Sequence, residues 1–157
     1  MSIDGTDFRI NEPRPFDRKW YSHKFHGPGV RYAIAVAINT SLIVWYCGPF
    51  CCGEWPDLRI ARATFIADMD DEEMAIADGG YRDGYNWFQT PTGFHTPQDR
   101  WESVVRACHE TINGHFKKWH ILRDVYRHDV STHGRVFRAI VQITQIEVTT
   151  TQPLFDT

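Results

Sequence analysis

Three acidic residues stand in distinctive short segments: Asp4 in SIDGTDF, Asp78 in MAIADGGYRD and Glu110 in RACHETINGHFKKW. A carboxylate beside apolar residues is costly to bury unless it binds something positive. Metal-dependent phosphodiester cleavage needs oxygen ligands around two ions about 3.5–4 Å apart. Two or three carboxylates suffice for Mg²⁺, because this ion keeps several waters. The spacing alone is a weak signal, since twenty acidic residues allow many such triples.

The apolar pattern predicts the elements that would have to position these acids. Strands are predicted over residues 3–10, 32–39, 42–47, 74–78 and 85–90, the second and third forming a hairpin. Residues 11–31 and 48–57, rich in glycine and proline, are predicted to be connections. Helices are predicted from an N-cap at Asp57, over 97–119 and over 135–148. On this prediction Asp4 lies on the first strand, and Asp78 closes a buried one.

The helix predicted over 97–119 has two distinct faces. Its apolar face carries Val105, Cys108, Ile112, Phe116 and Trp119. Its polar stripe carries Arg106, Glu110, Asn113 and Lys117, at steps of four, three and four residues. The order of elements predicts an α/β fold: a mixed sheet, antiparallel in its first three strands and then parallel, flanked by helices.

Composition limits the class of protein. The 157 residues suit a single domain, and 42% apolar residues argue against disorder. No run approaches the roughly 18 apolar residues that span a bilayer, so no membrane partner is expected. The N-terminus lacks the pattern of a secretory signal. The four cysteines form no pair of spaced CxxC motifs, which favours reduced thiols in an intracellular protein.

The charges are unevenly distributed around a net charge of −3. Bases are concentrated in residues 9–31 and 100–138, and residues 68–73, DMDDEE, are strongly acidic. Two basic segments around an acidic centre would suit phosphate contacts outside a metal site. An ordinary solvated surface explains the same distribution equally well.

The segments, taken in order, resemble the endonuclease domain of Harbinger-type DDE transposases over nearly the whole chain. IDGTDFRI resembles the first-aspartate strand of that family, and ADGGYRD, followed by TP, resembles its second-aspartate region. The segments GPGVRYAIAVAI and LIVWYCGPFCCGEWPDLRIAR resemble the second and third strands of that family and the loop and helix that follow them. RACHETINGHFKKWHILRDVYRH resembles the glutamate-bearing helix, and FRAIVQITQIEV the closing helix.

This resemblance implies an RNase H-like fold and a metal-dependent DNA cleavage and strand-transfer activity. Asp4, Asp78 and Glu110 would be the DDE triad and the ligands of two Mg²⁺ (or Mn²⁺) ions. The 32 positions between Asp78 and Glu110 (110 − 78) are close to the usual family separation. DNA is the implied partner and the nucleus the implied location. Residues 1–157 would form one such domain.

The sequence also departs from the family pattern. It starts three residues before Asp4, so we expect an N-terminally truncated domain without a separate DNA-binding domain. A separate DNA-binding protein and further copies of the chain are therefore candidate partners. A catalytically inactive DNA- or protein-binding remnant is the alternative function. A metal phosphoesterase for small substrates is a third, for which a narrow closed pocket would be diagnostic.

Other residues are candidates for contacts around the triad. The candidate DNA contacts are Lys24, Arg31, Arg106, Asn113 and Lys117. Arg106 could instead pair with Glu110, one helical turn away.

Two further residues are candidates for supporting the triad. Asp57 is either a helix cap or an additional acid of the site. His109 is either a ligand or proton shuttle, or an ordinary helix histidine. Asp7 is expected to be solvated, because a residue three positions after Asp4 faces the other side of a strand.

Overall fold

The computed structural model describes residues 1–38, 40, 42–94 and 96–151. Six strands form one mixed sheet: β1 (Ser2–Arg9), β2 (Tyr21–Ser22), β3 (Gly27–Val36), β4 (Ile43–Cys51), β5 (Ala75–Ile76) and β6 (Phe88–Gln89). The strand order is β2-β3-β1-β5-β6, and β4 also pairs with β3. Pairing is antiparallel among β1 to β4 and parallel from β1 to β5 and from β5 to β6. The predicted mixed sheet is confirmed, and it is compatible with an RNase H-like fold.

Helices cover the sheet. They are α1 (Asp57–Ile60), α2 (Pro97–Lys118), α3 (His120–Arg123) and α4 (His133–Thr151). The chain continues from α1 through a π-helical segment at Ala61–Phe65 and a 3₁₀-helical turn at Ile66–Asp68. In the part of the chain that the structure describes, none of these helices has the length and apolar character needed to cross a bilayer.

The structure corrects two predicted connections. The strand β3 begins at Gly27, five residues before the predicted start, and β4 extends to Cys51, four residues into the loop predicted over 48–57. Gly29 and Val30 pair with the end of β1, while Pro28 and Gly27 pair with β2. Local turn signals are overridden here, because pairing with neighbouring strands satisfies the backbone.

The helix starts differ in how well the sequence predicts them. Pro97 opens α2 as predicted, with a capping box in which Thr96 Oγ1 accepts from Asp99 N at 3.1 Å and Asp99 Oδ2 accepts from Thr96 N at 3.0 Å. The prediction for α1 is wrong in detail: Pro56 occupies the cap position and Asp57 is the first helical residue. The carboxylate of Asp57 instead faces Arg31, 3.4 Å from its Nε.

Alternation along the strands divides the core into two clusters. Val30, Tyr32, Ile34 and Val36 of β3 pack with side chains of α2 and α4, whereas Ala35 belongs to the cluster that contains residues of the α1 segment. In β1, Phe8 belongs to the first cluster and Ile3 to the second. Because side chains alternate along a strand, Asp4 and Phe8 lie on the same face of the sheet, toward α2. Ile3 and Gly5, on either side of Asp4, lie on the opposite face.

One polar pair lies deep in the first cluster. Tyr32 Oη and His133 Nδ1 are 2.8 Å apart, and the His133 ring also packs against Phe8 and Tyr126. His133 is 0% exposed and its Nε2 atom has no hydrogen-bond partner. Burial therefore lowers the pKa of His133 to about 4.

This histidine predicts a loss of stability in acid. In the unfolded chain His133 is protonated below about pH 6.5, whereas in the folded chain it is protonated only below about pH 4. The free energy of unfolding therefore falls as pH falls through that window. The loss reaches at most about 3 kcal/mol. Urea unfolding at pH 7, 5.5 and 4.5 measures it. The double variant Tyr32→Phe/His133→Phe, which removes both polar partners, should fall less steeply than the wild type; parallel curves would contradict the prediction.

Candidate active site

The central strand β1 holds Asp4 half-buried between β3 and β5. Asp4 Oδ1 accepts a hydrogen bond from the backbone N–H of Gly5 at 2.7 Å. Asp4 Oδ2 accepts from Asn113 Nδ2 of α2 at 3.3 Å. The carboxylate is thus oriented by its own strand and by the helix that crosses it.

Asp78 reaches the level of Asp4 through the parallel pairing of their strands. Ser2 of β1 pairs with Ile76 of β5, and each aspartate follows its paired residue by two positions. The strand β5 ends at Ile76, two residues before Asp78, so the predicted strand over residues 74–78 is too long at both ends. Asp78 Oδ1 accepts a hydrogen bond from Gly80 N at 2.8 Å. Its carboxylate is exposed at the carboxyl end of the strand.

Glu110 comes from the third element, α2. It lies one helical turn before Asn113, the residue that contacts Asp4. Asp4, Asp78 and Glu110 line one cleft of about 160 Å³, together with Arg106 and His109. The structure therefore brings the three predicted acids to one site.

The electrostatics of Asp4 reflect this crowding. The pKa of Asp4 is raised to about 6; burial is the largest cause, and the negative charges of Asp57 and Asp78 contribute to the same shift. Lys24 and the Gly5 N–H oppose the shift. Asp4, Asp57 and Asp78 are thus electrostatically coupled, and a cation in the cleft would relieve their repulsion.

Comparison with known proteins agrees with this geometry. Residues 3–145 match the sequence model of a family described as DDE superfamily endonuclease. The chain belongs to this family. No curated protein and no solved structure matches it significantly. The matched span contains all three acids of the cleft, and it supports a DDE-type transposase domain.

The cleft of the endonuclease domain has the donors that a hard divalent ion requires. Carboxylate oxygens are the protein ligands that Mg²⁺ and Mn²⁺ prefer, and Mg²⁺ needs only one or two together with waters. Among the described residues, no group of three or more Asp, Glu, His or Cys side chains is already arranged to hold a metal ion. The carboxylates of Asp4, Asp78 and Glu110 are donors of the type that such an ion requires, and the repulsion between Asp4 and Asp78 would be relieved by it.

A buried ion pair lies on the opposite face of β1. Asp7 accepts from Arg31 Nε at 2.6 Å and from Arg31 Nη2 at 2.9 Å, and from Ser22 Oγ at 2.6 Å. The expectation that Asp7 is solvated is wrong. Arg31 is buried as well, and its guanidinium binds Asp7. The predicted contact of Arg31 with DNA stays a prediction. The two residues are direct partners in the β1–β3 pairing, which strand alternation alone does not reveal.

Asp57 joins this network from α1. Its Oδ1 is 3.4 Å from Arg31 Nε, is buried and has no hydrogen-bond partner. A side chain on Gly5 would collide with the Asp57 carboxylate. Gly5, next to Asp4, thus allows a fourth acid to approach the site, and it is the sequence signal for this contact.

His109 lies on the buried side of α2 and borders the triad cleft. Its Nδ1 is 2.9 Å from Ser2 Oγ, and its Nε2 has no hydrogen-bond partner. Burial lowers the pKa of His109 to about 4, so the ring is uncharged at neutral pH. The predicted role of His109 as a ligand or proton shuttle stays a prediction.

A larger cleft of about 590 Å³ adjoins the triad and shares Asp4 and Glu110 with it. The predicted DNA contacts Lys24, Asn113 and Lys117 line this cleft. Sequence reasoning missed Arg9 and Arg123, which line it too. Arg9 is the last residue of β1, and its guanidinium lies 5.0 Å from the centroid of the Phe25 ring.

The remaining basic candidates have defined contacts. Lys24 Nζ donates to the Gly5 carbonyl at 2.9 Å, which places an ammonium next to β1. Arg106 borders the smaller cleft and donates to Ser103 Oγ at 3.1 Å. Lys24 therefore links the basic cleft to the strand that carries Asp4.

The raised pKa of Asp4 predicts a stability gain when its charge is removed. In the folded domain ionisation of Asp4 is disfavoured, so its contribution to stability is lost as pH rises from about 4 to about 6. Without metal, Asp4→Asn should stabilise the domain by about 1–2 kcal/mol at pH 7.5 and by almost nothing at pH 4. Urea unfolding in EDTA tests this, with Asp70→Asn at an exposed position as the control. A destabilised Asp4→Asn at pH 7.5 would refute it.

The buried pair predicts the opposite result for Arg31. Arg31→Met leaves the Asp7 carboxylate buried without its cation and should cost about 3–5 kcal/mol. Asp7→Leu combined with Arg31→Met should cost less than the sum of the two single variants, because no unpaired charge remains. Chemical denaturation of the four proteins completes the cycle. Additive single changes would show that the pair is not coupled.

Proposed function

We propose that this endonuclease domain is of the Harbinger type and that it cleaves DNA and transfers its strands. The observation that carries the proposal is the shared cleft of Asp4, Asp78 and Glu110, which come from three separate elements. The order of family-like segments in the sequence supports the Harbinger subtype.

In the proposed mechanism these three carboxylates would hold two Mg²⁺ or Mn²⁺ ions. Such ions would supply Lewis acidity for deprotonation of an attacking water or 3′-hydroxyl and for stabilisation of the leaving oxygen. Asp4 is held ready by Gly5 N–H and Asn113, which leaves little freedom for its carboxylate. His109 packs behind the cleft as an uncharged ring, so it adds no positive charge that would compete with a cation.

The larger cleft is the proposed path of the DNA backbone. Arg9, Lys24, Lys117 and Arg123 line it, and Asp4 and Glu110 lie at its junction with the triad cleft. Cations along a groove neutralise phosphates and release counterions, so binding there should weaken steeply with salt. A strand bound along this path would bring a phosphodiester to the carboxylates.

The biological setting belongs to the same proposal. The proposed substrate is DNA, and the proposed location is the nucleus. A separate DNA-binding protein and other copies of the chain are the further proposed partners.

A plasmid-nicking assay tests the activity. The wild type should convert supercoiled plasmid to the open circle in Mg²⁺ or Mn²⁺ and not in EDTA. Glu110→Gln and Asp78→Asn should lower the rate by on the order of 100-fold or more, because even residues behind the metal ligands typically contribute 10–100-fold. Glu12→Gln, at an exposed acid, is the matched control and should keep wild-type activity.

Calorimetric titration with Mn²⁺ separates the candidate functions. Binding that is lost in Asp78→Asn supports the triad as the ligand set. A wild type that neither binds Mn²⁺ nor nicks DNA, yet retains salt-sensitive DNA binding, would establish the inactive remnant and end the nuclease proposal.

A further inference from the structure

A separate apolar cleft of about 350 Å³ lies at the other end of β5 and β6. It is lined by Asp71, Glu72, Glu73, Met74, Tyr85, Asn86 and Trp87. Met74 directly precedes β5 and Trp87 directly precedes β6, whereas Asp78 follows β5. Since the two strands run parallel, this cleft and the triad lie at opposite ends of them.

The floor of the cleft is an exposed apolar surface held in place by the fold. Tyr85 is 67% exposed and Met74 49% exposed, while Trp87 packs partly against the second core cluster. The loop before Tyr85 is fixed, because Tyr85 N donates to Asp83 Oδ1 at 3.0 Å and Asp83 pairs with Arg62 at 3.3 Å. Met74, Tyr85 and Trp87 thus form one contiguous apolar patch in this cleft, and contiguous exposed apolar surface is typical of an interaction site.

The wall of the cleft carries three acids in one turn. Glu73 N donates to the Asp70 carbonyl at 3.0 Å, which closes the turn. Within the described residues, Asp71, Glu72 and Glu73 have no ion-pair partner within 4 Å. Their charge repels phosphate, so this face does not suit DNA. It is complementary to a cation that also carries apolar surface.

Lysine and arginine side chains have that combination. Their alkyl stems pack on apolar surface while the charged ends stay in polar surroundings, and their cations bind over aromatic faces. A bare metal ion would leave Met74 and Tyr85 uncovered. The volume of the cleft, about 350 Å³, has room for such a side chain.

We propose that this acidic aromatic cleft docks a basic polypeptide segment of a partner protein. A lysine or arginine side chain of that segment lies along Met74 and Tyr85, with its charge toward Asp71, Glu72 and Glu73. The inference is independent of the nuclease proposal, because it uses none of the triad residues.

The test uses a fluorescein-labelled peptide of alternating lysine and serine, with fluorescence anisotropy as the readout. The full chain should bind this peptide and should not bind the same peptide with acetylated lysines. Tyr85→Ala should weaken binding about threefold or more, as expected for an exposed cation–π contact. Glu72→Lys/Glu73→Lys should weaken it about tenfold or more.

Matched controls distinguish this cleft from general attraction. Phe94→Ala removes another exposed ring, and Glu12→Lys/Asp70→Lys makes the same change in net charge without altering a residue that lines the cleft. Both should bind the peptide within twofold of the wild type. Absence of peptide binding, indifference to Tyr85→Ala, or an equal loss in the control charge variant would overturn the proposal. A dimer that the peptide dissociates and that Tyr85→Ala abolishes would also overturn the proposal, because a second copy of the chain would then occupy the cleft.

Discussion

The site depends on the burial of charge on both faces of β1. On one face Arg31 lies between Asp7 and Asp57, and on the other Asp4 meets Asn113. Because a buried charge is costly unless it is paired, these contacts restrict how β1, β3 and α1 can pack together. A strand so restrained presents Asp4 in one orientation, and the geometry of the cleft follows from it.

The network under β1 also sets the charge of the cleft. Arg31 neutralises one of its two flanking acids, so one negative charge remains near Gly5. That charge is close enough to raise the pKa of Asp4, and Asp78 adds to the effect. Repulsion among acids that the fold holds together is typical of functional sites, where binding energy is available to offset it. Lys24, with its ammonium on the Gly5 carbonyl, moderates the repulsion.

The two ends of the parallel strands differ in charge and in the partners they suit. At the carboxyl end the triad adjoins a cleft with four bases, and at the amino end an acidic turn stands beside exposed aromatic surface. Phosphate is attracted to the first and repelled by the second. The parallel arrangement of β5 and β6 thus keeps the basic cleft apart from the acidic aromatic cleft.

The sequence by itself determined the order of the main elements, the positions of Asp4 on β1 and Glu110 on α2, and the start of α2 at Pro97. Periodicity and capping act within a few residues, so they can be read without the fold. Tertiary structure decided the pairing of Asp7 with Arg31 and the strand at residues 27–31. It also decided that Asp57 is the first residue of α1 and not its cap, and that Arg9 and Arg123 line the basic cleft. Each of these depends on which strand or helix lies opposite, and periodicity and capping within a few residues do not determine that choice.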